Sequence, residues 1–348
     1  MTLLPTETSP SLLLPYFISA GATAGVLDGL SLDSASPAEV LTAIGGLPFN
    51  TIYDYLRAAT RQLVENGNAE TAISAIEALD NSLGSDATSD RALLDLHTAL
   101  MQLLVSLHAY TGDSNAALSA AASTLTLLAQ EPKRKDEPFL SVLASLLYDL
   151  GLIHYSRGEF PQSERSLDKA ARIFSRLARI NAERYAPAHV ATLDAAAKVC
   201  RKAGDQAEAL KKCQETTARY LEETREGAMD EAVVRRLADS MAEQGLTLAK
   251  MGRNREAIQF ISRALRYLTR LQPEMDMRQL TLSTELGICL LLHKPTRDKG
   301  IHLLNTMLHK ATRLGAPELH RRIVDVLADA RNPARLDILG VWHKIFPR

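Results

Sequence analysis

At 348 residues, with 46% apolar and 23% charged side chains, the chain can bury a large core. Aromatic residues make up only 5%, so that core must be mostly Leu and Ala, both strong helix formers, and the scarcity of Val, Ile and Thr runs argues against strands. The near-neutral net charge of −1 conceals an imbalance: residues 1–130 carry three basic and 13 acidic side chains, leaving the rest of the chain strongly basic.

The composition is that of an all-α protein. Charges at opposite ends of an elongated array do not cancel beyond a Debye length of roughly 10 Å, so the two ends are either separately solvated or prefer partners of opposite sign. Cys200, Cys213 and Cys289 form no CxxC pair and suit a reducing compartment. Ser11–Leu30 is moderately apolar, but no Lys or Arg precedes Arg57, so a secretory n-region is missing. Pro15, Gly21, Gly25 and Asp28 argue against a membrane span. The expected location is cytoplasmic, with no membrane association.

Taken in order, residues 1–50 read as an N-terminal capping segment. Within it, Ser36-Pro37-Ala38-Glu39 marks a helix start with a capping box, and Gly45-Gly46 ends that helix. The first helical hairpin runs over Thr51–Glu65 and Ala69–Leu79, turning at Asn66-Gly67-Asn68. The second runs over Ala92–Tyr110 and Ala116–Ala129, turning at Thr111-Gly112-Asp113. A charged connection, EPKRKDEP over 131–138, leads to the third, which starts near Leu147, turns at Arg157-Gly158-Glu159 and extends to Ala182. The fourth spans Pro187–Glu223 around Gly204, and the fifth spans about Asp230–Leu271 around Gly252. The sixth begins near Met277, and Lys294-Pro295-Thr296 stands where its turn glycine would be. Gly315 and Pro317 mark a stop and a restart before two terminal helices, roughly Glu318–Ala330 and Ala334–Ile345. The turn glycines at 67, 112, 158, 204 and 252 recur every 45 to 48 residues. Such an interval, kept together with the flanking apolar pattern, defines an internal repeat of helical pairs that lean on their neighbours.

The pattern resembles the tetratricopeptide repeat (TPR) family. Leu147, Leu150, Gly151, Gly158, Phe160, Leu167 and Ala170 carry the resemblance in the third repeat. Gly245, Gly252, Ala257, Ile261 and Ala264 carry it in the fifth, Ala197, Gly204, Ala209 and Cys213 in the fourth, and Gly112, Ala117 and Ala121 in the second. The family repeat is about 34 residues long. Six extra residues per helix add about 9 Å to each, similar to the long-helix repeats of kinesin light chains and bacterial maltose regulators. HEAT-like repeats match the period but not the fixed Gly turn. The resemblance implies an all-α, right-handed superhelix of about six hairpins. Its array covers 51–314, with capping helices at 315–348.

No HExxH, GxSxG or GxxxxGK motif occurs. His302 and His309 lie about 10 Å apart along a helix, too far to share a metal. Neither a catalytic centre, a metal nor a cofactor is expected, and Glu243 reads as a surface charge. The resemblance places partners on the concave face of each repeat's first helix. Counting outward positions there gives Arg57 and Arg61; Gln102, Ser106 and Tyr110; Tyr148, Leu152 and Tyr155; Asp194, Lys198, Arg201 and Lys202; and Leu246 and Lys250. Tyr110, Tyr148, Tyr155, Lys198, Arg201 and Lys202 are the candidate partner-binding residues, since tyrosines beside basic groups suit an extended peptide with acidic groups. The alternative is that the tyrosines pack between repeats. Chaperone-type carboxylate clamps are not matched, because Tyr148, Asp149, Leu152, Ala191 and Ala195 stand at the corresponding positions. Lys294–Arg348 has a net charge of +6, but few aromatics for base stacking, which disfavours nucleic acid. The expected function is a scaffold or adaptor holding a protein segment, with homo- or hetero-association open. The alternative is a peptide-responsive regulator whose superhelix changes pitch.

Overall fold

The computed structural model describes residues 30–84, 90–131, 133–225 and 231–331. The terminal helix expected at Ala334–Ile345 and the apolar stretch before residue 30 lie outside the described residues. Among the described residues the chain is all-α. It runs α1 (Pro37–Ile44), α2 (Phe49–Glu65), α3 (Ala69–Leu83), α4 (Arg91–Thr111), α5 (Ser114–Ala129), α6 (Glu137–Ser156) and α7 (Phe160–Ile180). It continues through α8 (Ala182–Ala203), α9 (Gln206–Arg225), α10 (Glu231–Lys250), α11 (Asn254–Leu271), α12 (Met277–Leu292), α13 (Arg297–Arg313) and α14 (Pro317–Arg331). The chain divides into two compact units, Met1–Val199 and Cys200–Arg348.

Local chemistry places the breaks. Ser36 accepts the amide of Glu39, whose carboxylate returns to the Ser36 amide at 2.8 Å, giving α1 the expected capping box. All five repeat glycines adopt positive φ, from 74° at Gly252 to 98° at Gly204. An L side chain resists that conformation, and it lets the next amide turn back on the helix. Thus Asn68, Glu159 and Arg253 donate to the carbonyls of Leu63, His154 and Leu248 at 2.8–2.9 Å. Asp113 and Asp205 then cap the following helices. In the sixth hairpin a 3₁₀ turn over Lys294–Thr296 replaces the glycine, closed by the Thr296 hydroxyl donating to the Leu290 carbonyl at 3.0 Å. Two boundaries differ clearly from expectation: α6 starts at Glu137, well before Leu147, because Asp136 caps the Phe139 amide at 3.3 Å and Pro138 fits the first turn, and α8 starts at Ala182, because Asn181 caps the Arg184 amide at 3.0 Å and Pro187 is accommodated inside the helix.

In the third, fifth and sixth hairpins the helices cross where the first carries a glycine. A methyl added at Gly151 would come within 2.5 Å of Leu167, and one at Gly245 within 2.6 Å of Ile261. In the sixth hairpin the approach is two-sided: Gly287 faces Leu304, while Gly300 on α13 lies against the backbone of α12. The apolar core of the first unit runs from Val40, Tyr53 and Leu56 through Leu100 and Leu103, and from Leu146 and Leu150 to Leu167, Phe174 and Ala188. α4 and α6 are long and apolar enough to cross a bilayer, but most of each apolar window is buried against neighbouring helices. Their apolarity therefore serves packing. Arg134 fixes the charged connection before α6, donating to both carboxylate oxygens of Asp95 and to Asp136, the cap of α6.

Gly300→Ala should lower the chemical unfolding midpoint, costing about 1–3 kcal/mol, because a Cβ there would stand 2.4 Å from the Leu291 amide nitrogen. At an ordinary interior helix position the same exchange would gain about 1 kcal/mol, so the sign of the effect checks the close approach.

Candidate partner-binding surface

In the first unit the inner positions of the first helices are not open. Arg57, Gln102, Ser106 and Tyr148, counted as outward from the sequence, are only 2–4% exposed. The inner faces of α2, α4, α6 and α8 instead meet through polar side chains. Arg57 lies 3.5 Å over the Tyr53 ring and donates to the Ser145 hydroxyl at 2.8 Å. The Tyr53 hydroxyl donates to Gln102, and the Gln102 amide donates to Ser106 at 2.9 Å and to Asp149 at 2.7 Å. Ser106 also donates to Asp149, at 2.6 Å. Arg184 of α8 reaches Asp54 of α2 in a two-pronged pair, and Tyr185 and Asn50 both donate to Glu137 at 2.8 Å.

Tyr148 therefore belongs to the core and is withdrawn from the contact surface. Its helix is so apolar that the side chain finds its place among packed neighbours. Tyr155 is half-buried, its ring tilted against Phe160 at a centroid distance of 6.0 Å. Tyr110, at the end of α4, remains exposed. Lys198 pairs with Asp194 at 3.2 Å, an i,i+4 contact on α8. Asp149, which the sequence marks only as a mismatch to a carboxylate clamp, stands at the centre of this network. Its one signal was a carboxylate four residues after Ser145 within an otherwise apolar helix. Burial pushes its carboxyl up to about 7, although Ser106, Gln102 and the charge of Arg57 hold it down.

The second unit gathers charge differently. Arg201, at the end of α8, donates from Nε to Glu243 at 2.8 Å, with both side chains about 85% buried. Glu243 is thus an inner-face partner, not the plain surface charge expected from sequence. Lys250 ends α10 with its Nζ 3.5 Å from the Arg201 carbonyl, which also accepts from Gln206. Partial burial, together with the charges of Arg201 and Lys202, lowers the Lys250 pKa, and Glu243 and Glu285 only partly offset them. Arg201, Lys202 and Lys250 therefore share a region of positive potential in which an ammonium is disfavoured and an anion favoured. Arg278 with Asp239, and Arg322 with Glu285 at 2.6 Å, add further charged pairs on α10, α12 and α14. Among the described residues no three His, Cys, Asp or Glu side chains converge as metal ligands.

Lys250→Met keeps the apolar stem and removes the repelled ammonium. It should raise stability at pH 7 by about 0.5–1 kcal/mol, the usual sign when a strained functional group is neutralised. Thermal unfolding of the two proteins checks this.

No protein-family model and no curated protein matches the chain. Solved structures do. BtubC from P. vanneervenii matches 72% of this chain and 92% of its own, with 16% identity and a TM-score of 0.52. The apo form of the quorum sensor NprR from B. thuringiensis matches 85% and 79%, with 16% identity and a TM-score of 0.54. A Podosopora anserina putative kinesin light chain with nearly identical TPR-like repeats also aligns, at 16% identity and a TM-score of 0.48. The glycine turns, the close helix crossings and the likenesses to BtubC and NprR agree: this chain has the TPR-like helical-repeat fold.

Proposed function

We propose that the protein is a non-catalytic scaffold of the cytosol that holds an extended protein segment against the inner face of its second unit. The observation that carries this reading is the convergence of Arg201, Lys202 and Lys250, whose mutual repulsion an acidic side chain of a guest would relieve. Tandem first helices suit such a guest, because they offer repeated polar anchors along an extended chain. Three buried free thiols fit a reducing compartment. The division into an N-terminal cap (1–50), a repeat array (51–314) and a C-terminal cap (315–348) goes with this reading. Tyr110, Tyr155 and Lys198 remain separate candidates within the first unit.

The test is fluorescence anisotropy with labelled ten-residue peptides that are acidic, neutral or basic. Acidic peptides should bind at least tenfold tighter at 50 mM salt and weaken as salt rises. Lys202→Ala/Lys250→Met should remove that preference while leaving the Arg201–Glu243 pair in place and the fold intact. Equal affinity for all three peptide classes would refute the reading. Small-angle scattering with the bound peptide distinguishes a static scaffold, whose radius of gyration stays fixed, from the alternative of a ligand-driven change of pitch.

A further inference from the structure

The inner face of the first unit is closed by its own side chains, and the closure has an unusual composition. α2 brings Tyr53, Asp54 and Arg57, each 3% exposed or less. They reach Gln102 on α4, Ser145 on α6 and Arg184 on α8, so three other first helices hold α2 by polar contacts. The charged groups in this layer are Arg57 and Arg184 against Asp54, Asp149 and Glu137. With Asp149 ionised, three carboxylates face two guanidinium groups. With Asp149 protonated, the numbers balance. Among the other elements packed around α6, α5 contains no charged residue, and α7 adds the half-buried Glu164 and Asp168 while its buried residues are uncharged. α8 adds His189 and the internally paired Asp194 and Lys198.

We infer that this layer is a proton-controlled latch: a proton on Asp149 keeps α2 docked on α4, α6 and α8, and its loss lets α2 loosen and the inner face of α4 and α6 open. The direction follows from linkage. In the docked form the carboxyl titrates at about 7, whereas exposed to solvent it would titrate near its ordinary value of 3.8. The docked form therefore binds the proton preferentially between those two values. Docking is strongest on the acid side, is lost progressively as pH rises from about 3.8 to about 7, and levels off above that. From pH 5.5 to pH 8 the ratio of loosened to docked forms should rise on the order of tenfold to thirtyfold. His97, whose pKa is raised by its hydrogen bond to Asp80, titrates between α3 and α4 and weakens their contact in the same direction. In the layer itself the Asp54 carboxyl is also raised, burial outweighing the pull of Arg184, so a pH effect alone would not identify Asp149.

The experiment is hydrogen exchange of the full chain from pH 5.5 to 8.5, corrected for the intrinsic pH dependence of exchange. Protection of α2 should fall tenfold or more, while α12 and α13 in the second unit keep theirs. Asp149→Asn, which still accepts from Gln102 and Ser106, should hold α2 protection level across the range. Ser106→Ala removes a donor to the carboxylate and should move the pH at which the loss levels off upward, a shift that a purely structural role for Ser106 would not produce. The latch is refuted if α2 protection is flat in the unaltered protein, if it falls equally in α12 and α13, or if the fall persists in Asp149→Asn. Should Asp149→Asn fail to fold, an unmoved levelling-off pH in Ser106→Ala refutes it on its own.

Discussion

Two amphipathic helices joined by a tight turn cannot bury both of their faces, and that constraint organises this protein. In three of the hairpins a glycine on the first helix admits a large residue from the second. Gly151 with Leu167, Gly245 with Ile261 and Gly287 with Leu304 show the same solution in the third, fifth and sixth. The remaining apolar face has to find the next hairpin, as Leu100 and Leu103 of α4 do against α2 and α3. Stability is therefore passed from neighbour to neighbour. The glycine turn is what keeps each pair in step, because its positive φ ends one helix and aims the next within two residues.

Once the apolar stripes are committed to packing, the inner positions of the first helices are left to polar residues. The two units use them differently. In the first, long side chains such as Arg57 and Arg184 span the distance between helices and find partners, so polarity becomes internal structure. A buried network of this kind is stabilising only while every member has a partner. Asp149 meets that condition through two donors, yet burial still works against its charge. In the second unit like charges meet: Arg201, Lys202 and Lys250 crowd together, and Glu243 compensates only part of the cost. An arrangement that is poor for stability and partly open to solvent is what a binding surface requires.

Similar folds among solved structures at 16% identity show how little of this architecture depends on particular side chains. A repeat fold needs a period, a turn and a size complement at the crossing. The identity of the inner-face residues is free to vary, and that is where one such protein can differ from another in what it holds.

The sequence alone determined the period, the all-α class, the five glycine turns, the capping box at Ser36 and the degenerate sixth turn, because each depends on residues within a few positions of one another. Its helix ends were close except at α6, where Asp136 and Pro138 start the helix well before Leu147, and at α8, where Asn181 outweighed Pro187 as the start signal. Of the inner-face residues, Arg201 and Lys202 were legible as neighbours of a cationic surface. Tyr148, Arg57, Gln102 and Ser106 were counted as outward and are buried. Helical periodicity says which residues share a face, but not what that face meets. Only the tertiary structure brings Asp54 to Arg184, 130 residues away, and it alone decides whether a polar face becomes a surface or an interior.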